Sequence, residues 1–406
     1  MTTSPEAIRR KFMAPSFYRP LLALILGQVS LHSAMAGVRL AAPLQSLHEG
    51  RSAASVGLLL ALFALAPVVL AIPGGRLADR LGYHRPLRIA TALSVAGALL
   101  AALAGGHYLV LCLSAMLSGA GANLGLIVVQ RSAGRMSSDP TARLKVFSWL
   151  GMAPALSNLL GPVLVGLLID GAGFQVAFGA MALLPLMALA IARLVPVEAP
   201  RPAAAPMAEA ARPRRVWDLL RSPDVRRLLL LNWLLSASWD VHSFVVPILG
   251  HERGLDATAI GFVLGTFAAS VAGVRFAIPV IAHRLTERQV LVGATLATGA
   301  VLAVYPFAHP AWAMALCAAL LGIPLGSVQP MVMSLLHEAT PHERHGEAIA
   351  LRSMSLNLSS SVMPLCFGAL GAALGAGVLF WLMGGLVAGA GSLQARRIRE
   401  RPPAGP

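Results

Sequence analysis

The chain has 406 residues, 57% of them hydrophobic and 12% charged, with a mean hydropathy of +0.73. Globular chains carry about a quarter charged residues, so a water-soluble domain is excluded as the main architecture. The formal charge is +15, but the basic residues fall between apolar runs and not on a soluble segment, which excludes a nucleic-acid surface.

Apolar stretches of about 20 residues, the length that crosses a hydrocarbon core of about 30 Å, recur from Pro20 to Gly391. They predict twelve helices, at 20–44, 53–73, 88–104, 108–130, 147–169, 174–195, 227–249, 257–282, 290–307, 311–336, 347–371 and 375–394. Runs so long and continuous fit helices and not barrel strands. Ahead of the first, Arg9 to Lys11 and the triplet Ala34-Met35-Ala36 imitate a signal peptide, but apolar sequence continues to Leu44, which favours a retained membrane helix. Cys112, Cys317 and Cys366 lie inside apolar runs without CxxC spacing, so neither a disulfide framework nor a zinc site is indicated.

Alternate connections are basic: Arg9, Arg10, Lys11 and Arg19; Arg76, Arg80, Arg85 and Arg88; Arg131, Arg135, Arg143 and Lys145. The series continues with the stretch from Arg193 to Arg227, then Arg284 and Arg288, Arg344, and a tail of Arg396, Arg397, Arg399 and Arg401. The opposite connections hold little beyond Arg51 and Arg253, which predicts cytoplasmic termini. Thirty of the 32 basic residues are Arg, a usage that suits a GC-rich bacterial genome, and a bacterial inner membrane is the expected location.

Laid on itself at an offset of 204, the sequence keeps a gap-free register across three helix pairs. Pro43 meets Pro247; Ala53, Gly57, Leu60, Phe63 and Ala64 meet Ala257, Gly261, Leu264, Phe267 and Ala268; Arg80-Leu81 meets Arg284-Leu285. Between the halves, Pro196, Pro200, Pro202, Pro206 and Pro213 stand among Ala and Arg, a composition that buries no core. The expected organisation is a six-helix bundle at 1–195, a cytoplasmic linker at 196–226 and a second six-helix bundle at 227–406. Two like halves suit a carrier that rocks one bundle against the other.

The second helix ends in Gly75-Arg76-Leu77-Ala78-Asp79-Arg80-Leu81-Gly82-Tyr83-His84-Arg85. This run resembles the loop 2–3 signature of the major facilitator superfamily, G-x-L-A-D-R-x-G-R-K. The resemblance implies that Gly75, Asp79, Arg80, Gly82 and Arg85 form a conformational latch, with Asp79 pairing to arginines and to the start of helix 11. Tyr83-His84 replaces the usual basic pair and displaces Arg85 by one place. In helix 5, Gly161-Pro162-Val163-Leu164-Val165-Gly166 is similar to the G-P-x-x-G-G motif of the drug/proton antiporter branch, with Val165 in place of one glycine. The family mark R-x-x-Q-G-x-G in helix 4 is altered, since Ala115 and Ser118 stand for its Arg and Gln. Gly322, Gly326, Gln329-Pro330, Arg344 to Ala348, Leu351-Arg352, Asn357 and Pro364 to Gly368 resemble a bacterial subgroup of these carriers. His337-Glu338-Ala339-Thr340-Pro341-His342 imitates a zinc-protease HExxH, but the second His comes one place late and Pro341 breaks the helix that would align the pair.

An ionisable residue inside hydrocarbon is a functional candidate by default. Arg39 in helix 1, Asp240 in helix 7 and Arg275 in helix 8 qualify, and Arg275 is expected to snorkel to the interface. The repeat sets Arg39 one turn from the position of Asp240, which predicts an ion pair across a central cavity, whether a proton-exchanging one or a static one. The same register aligns Gln28 with Asn232 and His32 with Ser236. With Asn123, Gln130, Asn158, Gln329 and Asn357 these are cavity hydrogen-bond candidates, and Trp239 and Phe244 offer aromatic surface. The expected fold is thus the all-α superfamily fold of twelve helices, and the expected function a proton-coupled exporter of small, partly hydrophobic compounds. A carrier of an organic anion or other metabolite, centred on Arg39, is the alternative. No cofactor, metal or nucleic-acid partner is expected; the partners are a small solute, protons and the bilayer, and the chain is expected to be a monomer. No GxxxxGK[ST] loop is present for ATP, and no nucleophile–base pair suggests an enzyme.

Overall fold

The computed structural model describes residues 15–136, 146, 149–197, 216–281, 286–341 and 344–397. Arg9, Arg10, Lys11, Arg143, Lys145, residues 198–215 of the expected linker, Arg284-Leu285, His342, Arg399 and Arg401 lie outside the described residues.

Every described element is helical. The first four are α1 (Pro15–His48), α2 (Ala53–Leu81), α3 (His84–Ala104) and α4 (Tyr108–Arg135). The 41-residue stretch Met152–Ala192 is divided by Gly173, at φ 82° and ψ 171°, into α5 (152–172) and α6 (174–192). A six-residue 3-10 turn, Val216–Arg221, leads into α7 (Pro223–Glu252), followed by α8 (Ala257–Ile281), α9 (Glu287–Val304), α10 (Ala311–Ala339) and α11 (His345–Leu374). The last helix, α12, begins at Ala376–Leu386, widens through a π turn at Val387–Gly391 and ends at Ser392–Arg396. Eleven stretches are long and apolar enough to cross a membrane; one of them is the stretch that Gly173 divides, so the described helices number twelve.

The helices overrun the apolar windows that predict them because side chains can turn polar at the interface while the backbone stays bonded. At the end of α1 the Gln45 amide donates to Glu49 one turn on. At the start of α9 a capping box links Thr286 and Gln289, so the helix opens at 287 and not at 290.

The fold divides into two compact units. The first holds α1 as far as Ala42, α2 from Leu65, and α3 to α6; the second holds residues 43–64 and α7 to α12. In the first unit the core joins Leu24 and Leu31 of α1, Leu87 of α3, Val128 of α4 and Ala188 of α6 around Tyr83, which is 1% exposed. The pair that departs from the loop signature is thus packed inward: Tyr83 lies edge-on to His84, whose ring nitrogen bonds the Ala192 carbonyl at 3.2 Å. The Tyr83 hydroxyl has no protein partner, and burial pushes its phenol well above the ordinary tyrosine value.

In the second unit α7 is central, packed against α8, α10, α11 and α12. Leu219 of the 3-10 turn seals the end where α7 and α11 begin, with Val225, Leu229, Leu336, Ala348 and Leu351. At the opposite end of α7, Arg253 donates to the carbonyls of Ala308 at 2.6 Å and Pro306 at 2.7 Å, tying the α7–α8 turn to the α9–α10 turn. Desolvation lowers its pKa against the opposing pull of Tyr305 and Glu252.

Candidate functional site

A cavity of about 120 Å³ lies within the second unit. Its α7 wall is Asn232, Leu235, Ser236 and Trp239, a spacing of three and four residues that puts all four on one helical face. Leu325, Val328 and Gln329 of α10, Arg275 of α8, and Arg352 and Leu356 of α11 complete the lining.

Two arginines face this small space. Nη2 of Arg275 donates to Oε1 of Gln329 at 2.9 Å, and Nε of Arg352 donates to Oδ1 of Asn232 at 3.2 Å. Each guanidinium is therefore oriented by a neutral amide, which accepts a hydrogen bond but cancels no charge. Arg352 is 7% exposed; it and Asp240, at 6%, are the two charged residues fully buried among the described residues. Among the described residues, no acidic side chain lines the cavity. Nδ2 of Asn232 is buried without a protein partner.

Asp240 follows Trp239 on α7 and faces α11, where Ser359 Oγ donates to Oδ2 at 3.3 Å and Ser360 Oγ to Oδ1 at 3.5 Å. On the other side of α7 the fully buried His242 bonds the Tyr305 hydroxyl at 3.1 Å and stacks on Phe267, its ring centroid 4.5 Å away. Trp239 meets the same Phe267 edge-on at 4.6 Å, which fixes the indole in the cavity wall.

The sequence candidates fall in several places. Asn232 and Trp239 line the cavity. Arg275 reaches Gln329 across the α8–α10 contact. Phe244 is buried against Phe367. Asn357 and Gln130 are exposed, and Asn123 and Asn158 donate to the Pro67 and Pro154 carbonyls. Gln28 and His32 bond each other along α1, and Arg39 lies half-buried on the same helix in the first unit. Arg352, which the sequence presents only as part of a family motif, is the residue the charge argument passed over. It lies five places inside the expected helix 11, where the rule applied to Arg39 and Asp240 applies equally.

In the loop after α2, Arg131 of α4 donates through Nε to Asp79 at 2.8 Å, while Arg80 and Arg85 are exposed. Gly82 takes φ 72°, which turns the chain tightly into α3, and Gly75 is half-buried. The helix-5 motif serves packing: α5 crosses α1 at Gly161, with Pro162, Val165 and Gly166 buried beside it.

A family model described as Major Facilitator Superfamily matches residues 24–235 and 228–406. Among solved structures, a POT family transporter in complex with 5-aminolevulinic acid superposes with a TM-score of 0.74 at 14% identity, covering 92% of this chain and 95% of that one. A mutant peptide transporter POT gives 0.72 at 18% identity, with 93% of each chain covered. The peptide transporter POT in complex with sulfate gives 0.71 at 16% identity, covering 94% and 95%.

Proposed function

The chain belongs to the major facilitator superfamily and is a secondary transporter of that type; on that premise we propose that its cargo is a small anion bound in the second unit by Arg275 and Arg352. The observation that carries this reading is a cavity with two guanidinium groups and, among the described residues, no acidic side chain in its lining. A charge withdrawn from water is costly until a counter-charge with matching hydrogen bonds meets it. Amide oxygens do not supply that charge; a carboxylate accepting from both arginines does, in the paired geometry guanidinium favours.

The drug/proton antiporter likeness suggests a different cargo, a partly hydrophobic and often cationic compound leaving the cell. Such a cation would add positive charge to a cavity that already carries two, so the anion reading is the better supported. Proton coupling belongs to it equally: Asp240, buried and held by two serine hydroxyls, is the proposed proton site. Both termini are taken as cytoplasmic in a bacterial inner membrane, supported by Arg76, Arg80, Arg85, Arg88, Arg131 and Arg135 at one set of helix ends.

The test is uptake by proteoliposomes under an imposed pH gradient, with a panel of labelled carboxylates and the cation tetraphenylphosphonium. Proton-dependent carboxylate movement that falls about tenfold or more in Arg352→Gln is the expected result, since a lost charged contact is worth roughly 1.5–3 kcal/mol. Asp240→Asn is expected to keep carboxylate exchange and lose its response to the gradient. Cation movement indifferent to Arg352 would overturn the reading.

A further inference from the structure

The cavity is layered, and the layers follow from the course of the helices. Consecutive helices joined by short turns run antiparallel, so α7 and α11 start at the end where α8 and α10 finish. Asn232 and Arg352 lie near the starts of α7 and α11; Arg275 and Gln329 lie towards the ends of α8 and α10. These four polar groups therefore share one level. At 1.5 Å per residue, Leu356 and Leu325 lie about 6 Å deeper than Arg352 and Gln329, and Trp239 about 10 Å deeper than Asn232. The deeper level is walled by Leu235, Trp239, Leu325 and Leu356, with the Ser236 hydroxyl as its one polar side-chain group besides the indole N–H.

Resting on the anion reading, we infer that the cargo is a short amphipathic monocarboxylate, with its head at Arg275 and Arg352 and an aryl or branched alkyl body against Trp239 and the three leucines. At about 120 Å³ the cavity is smaller than the roughly 150 Å³ that accepts benzene in another protein, but it is half-open, so a short chain or a single ring beside the head group fills it and reaches its open side. Phosphate and sulfate fit the head level better than the rest, because a compact oxyanion needs donors on every side and the deeper wall offers at most the Ser236 hydroxyl and the Trp239 indole N–H among apolar side chains. The edge-on contact with Phe267 holds the indole in place before a ligand arrives, so little order is lost on binding.

The inference is tested by equilibrium binding of labelled phenylacetate to the full-length protein in detergent, with acetate, inorganic phosphate and phenylethylammonium as competitors. Phenylacetate is expected to bind roughly tenfold or more tighter than acetate, from the apolar area of one ring. Trp239→Ala should erase that preference, weakening phenylacetate far more than acetate. Leu356→Ser makes the same test if the tryptophan variant does not fold. Arg352→Gln should weaken both acids. Acetate or phosphate binding as tightly as phenylacetate, with Arg352→Gln still weakening all of them, overturns the amphipathic class and leaves the anion site standing. Phenylacetate binding that is absent, or unchanged in Arg352→Gln, overturns the anion site itself.

Discussion

Replacing Gly161 with alanine puts a methyl group into the crossing of α5 and α1. Its carbon would lie 2.5 Å from the Ser33 carbonyl oxygen, 2.8 Å from Ala36 Cβ and 3.0 Å from the Gly37 nitrogen. Two of the three are backbone atoms, which no rotamer change removes, so the helices must separate along their contact. Overpacking of this kind costs about 1–3 kcal/mol, and a contact against backbone belongs at the upper end. Alanine in place of glycine in an open helix gains up to about 1 kcal/mol. The balance for Gly161→Ala is a loss of about 1–2 kcal/mol. Gly179 of α6 is the control, because a methyl there meets nothing within 4 Å, and Gly179→Ala should gain up to about 1 kcal/mol. Denaturant titration in mixed micelles, with the monodisperse fraction after heating as a second readout, should separate the two variants by about 1–3 kcal/mol. A Gly161→Ala protein as stable as Gly179→Ala would refute the steric account and return the motif to some role other than close packing.

Tyr83→Phe should be neutral or slightly stabilising at pH 7, since the hydroxyl it removes is buried without a protein partner. Its effect lies in alkali. The folded phenol titrates above its unfolded value of about 10, so stability from the neutral ring is full below about pH 10 and is lost as pH rises towards the folded value. Melting curves taken across that window should show the alkaline loss reduced in the phenylalanine variant. Arg253→Gln removes the charged donor to Pro306 and Ala308 and should cost about 1.5–3 kcal/mol by the same micelle titration.

The fold was largely legible because a bilayer permits so few backbone arrangements. Apolar windows locate the part of each helix that lies in hydrocarbon, and they separate α5 from α6 at Asp170-Gly171-Ala172-Gly173 despite the continuous stretch around it. They do not locate helix ends, which depend on caps such as Thr286 and on turns such as Gly82. The site was less legible. Hydropathy gives depth in the membrane but not the direction a side chain takes around its helix, and direction separates Arg275 at the interface from Arg275 on Gln329. The four-residue stripe of α7 carries direction in its spacing, and Asn232 and Trp239 were recoverable from it. The Arg352–Asn232 bond joins residues 120 positions apart, and no local pattern announces it.

The junctions ahead of α6 and α12 each consist of one glycine, Gly173 at φ 82° and ψ 171° and Gly375 at φ 87° and ψ 148°. Side-chain-bearing residues do not adopt this region of backbone space. One residue spans at most about 3.6 Å, so in the folded protein the facing ends of α5 and α6, and of α11 and α12, stay within one residue's reach and neither helix of a pair can slide along the other without unwinding its end. A fusion or epitope inserted at Gly173 or Gly375 would release that tether, which makes these two turns poor places for a tag.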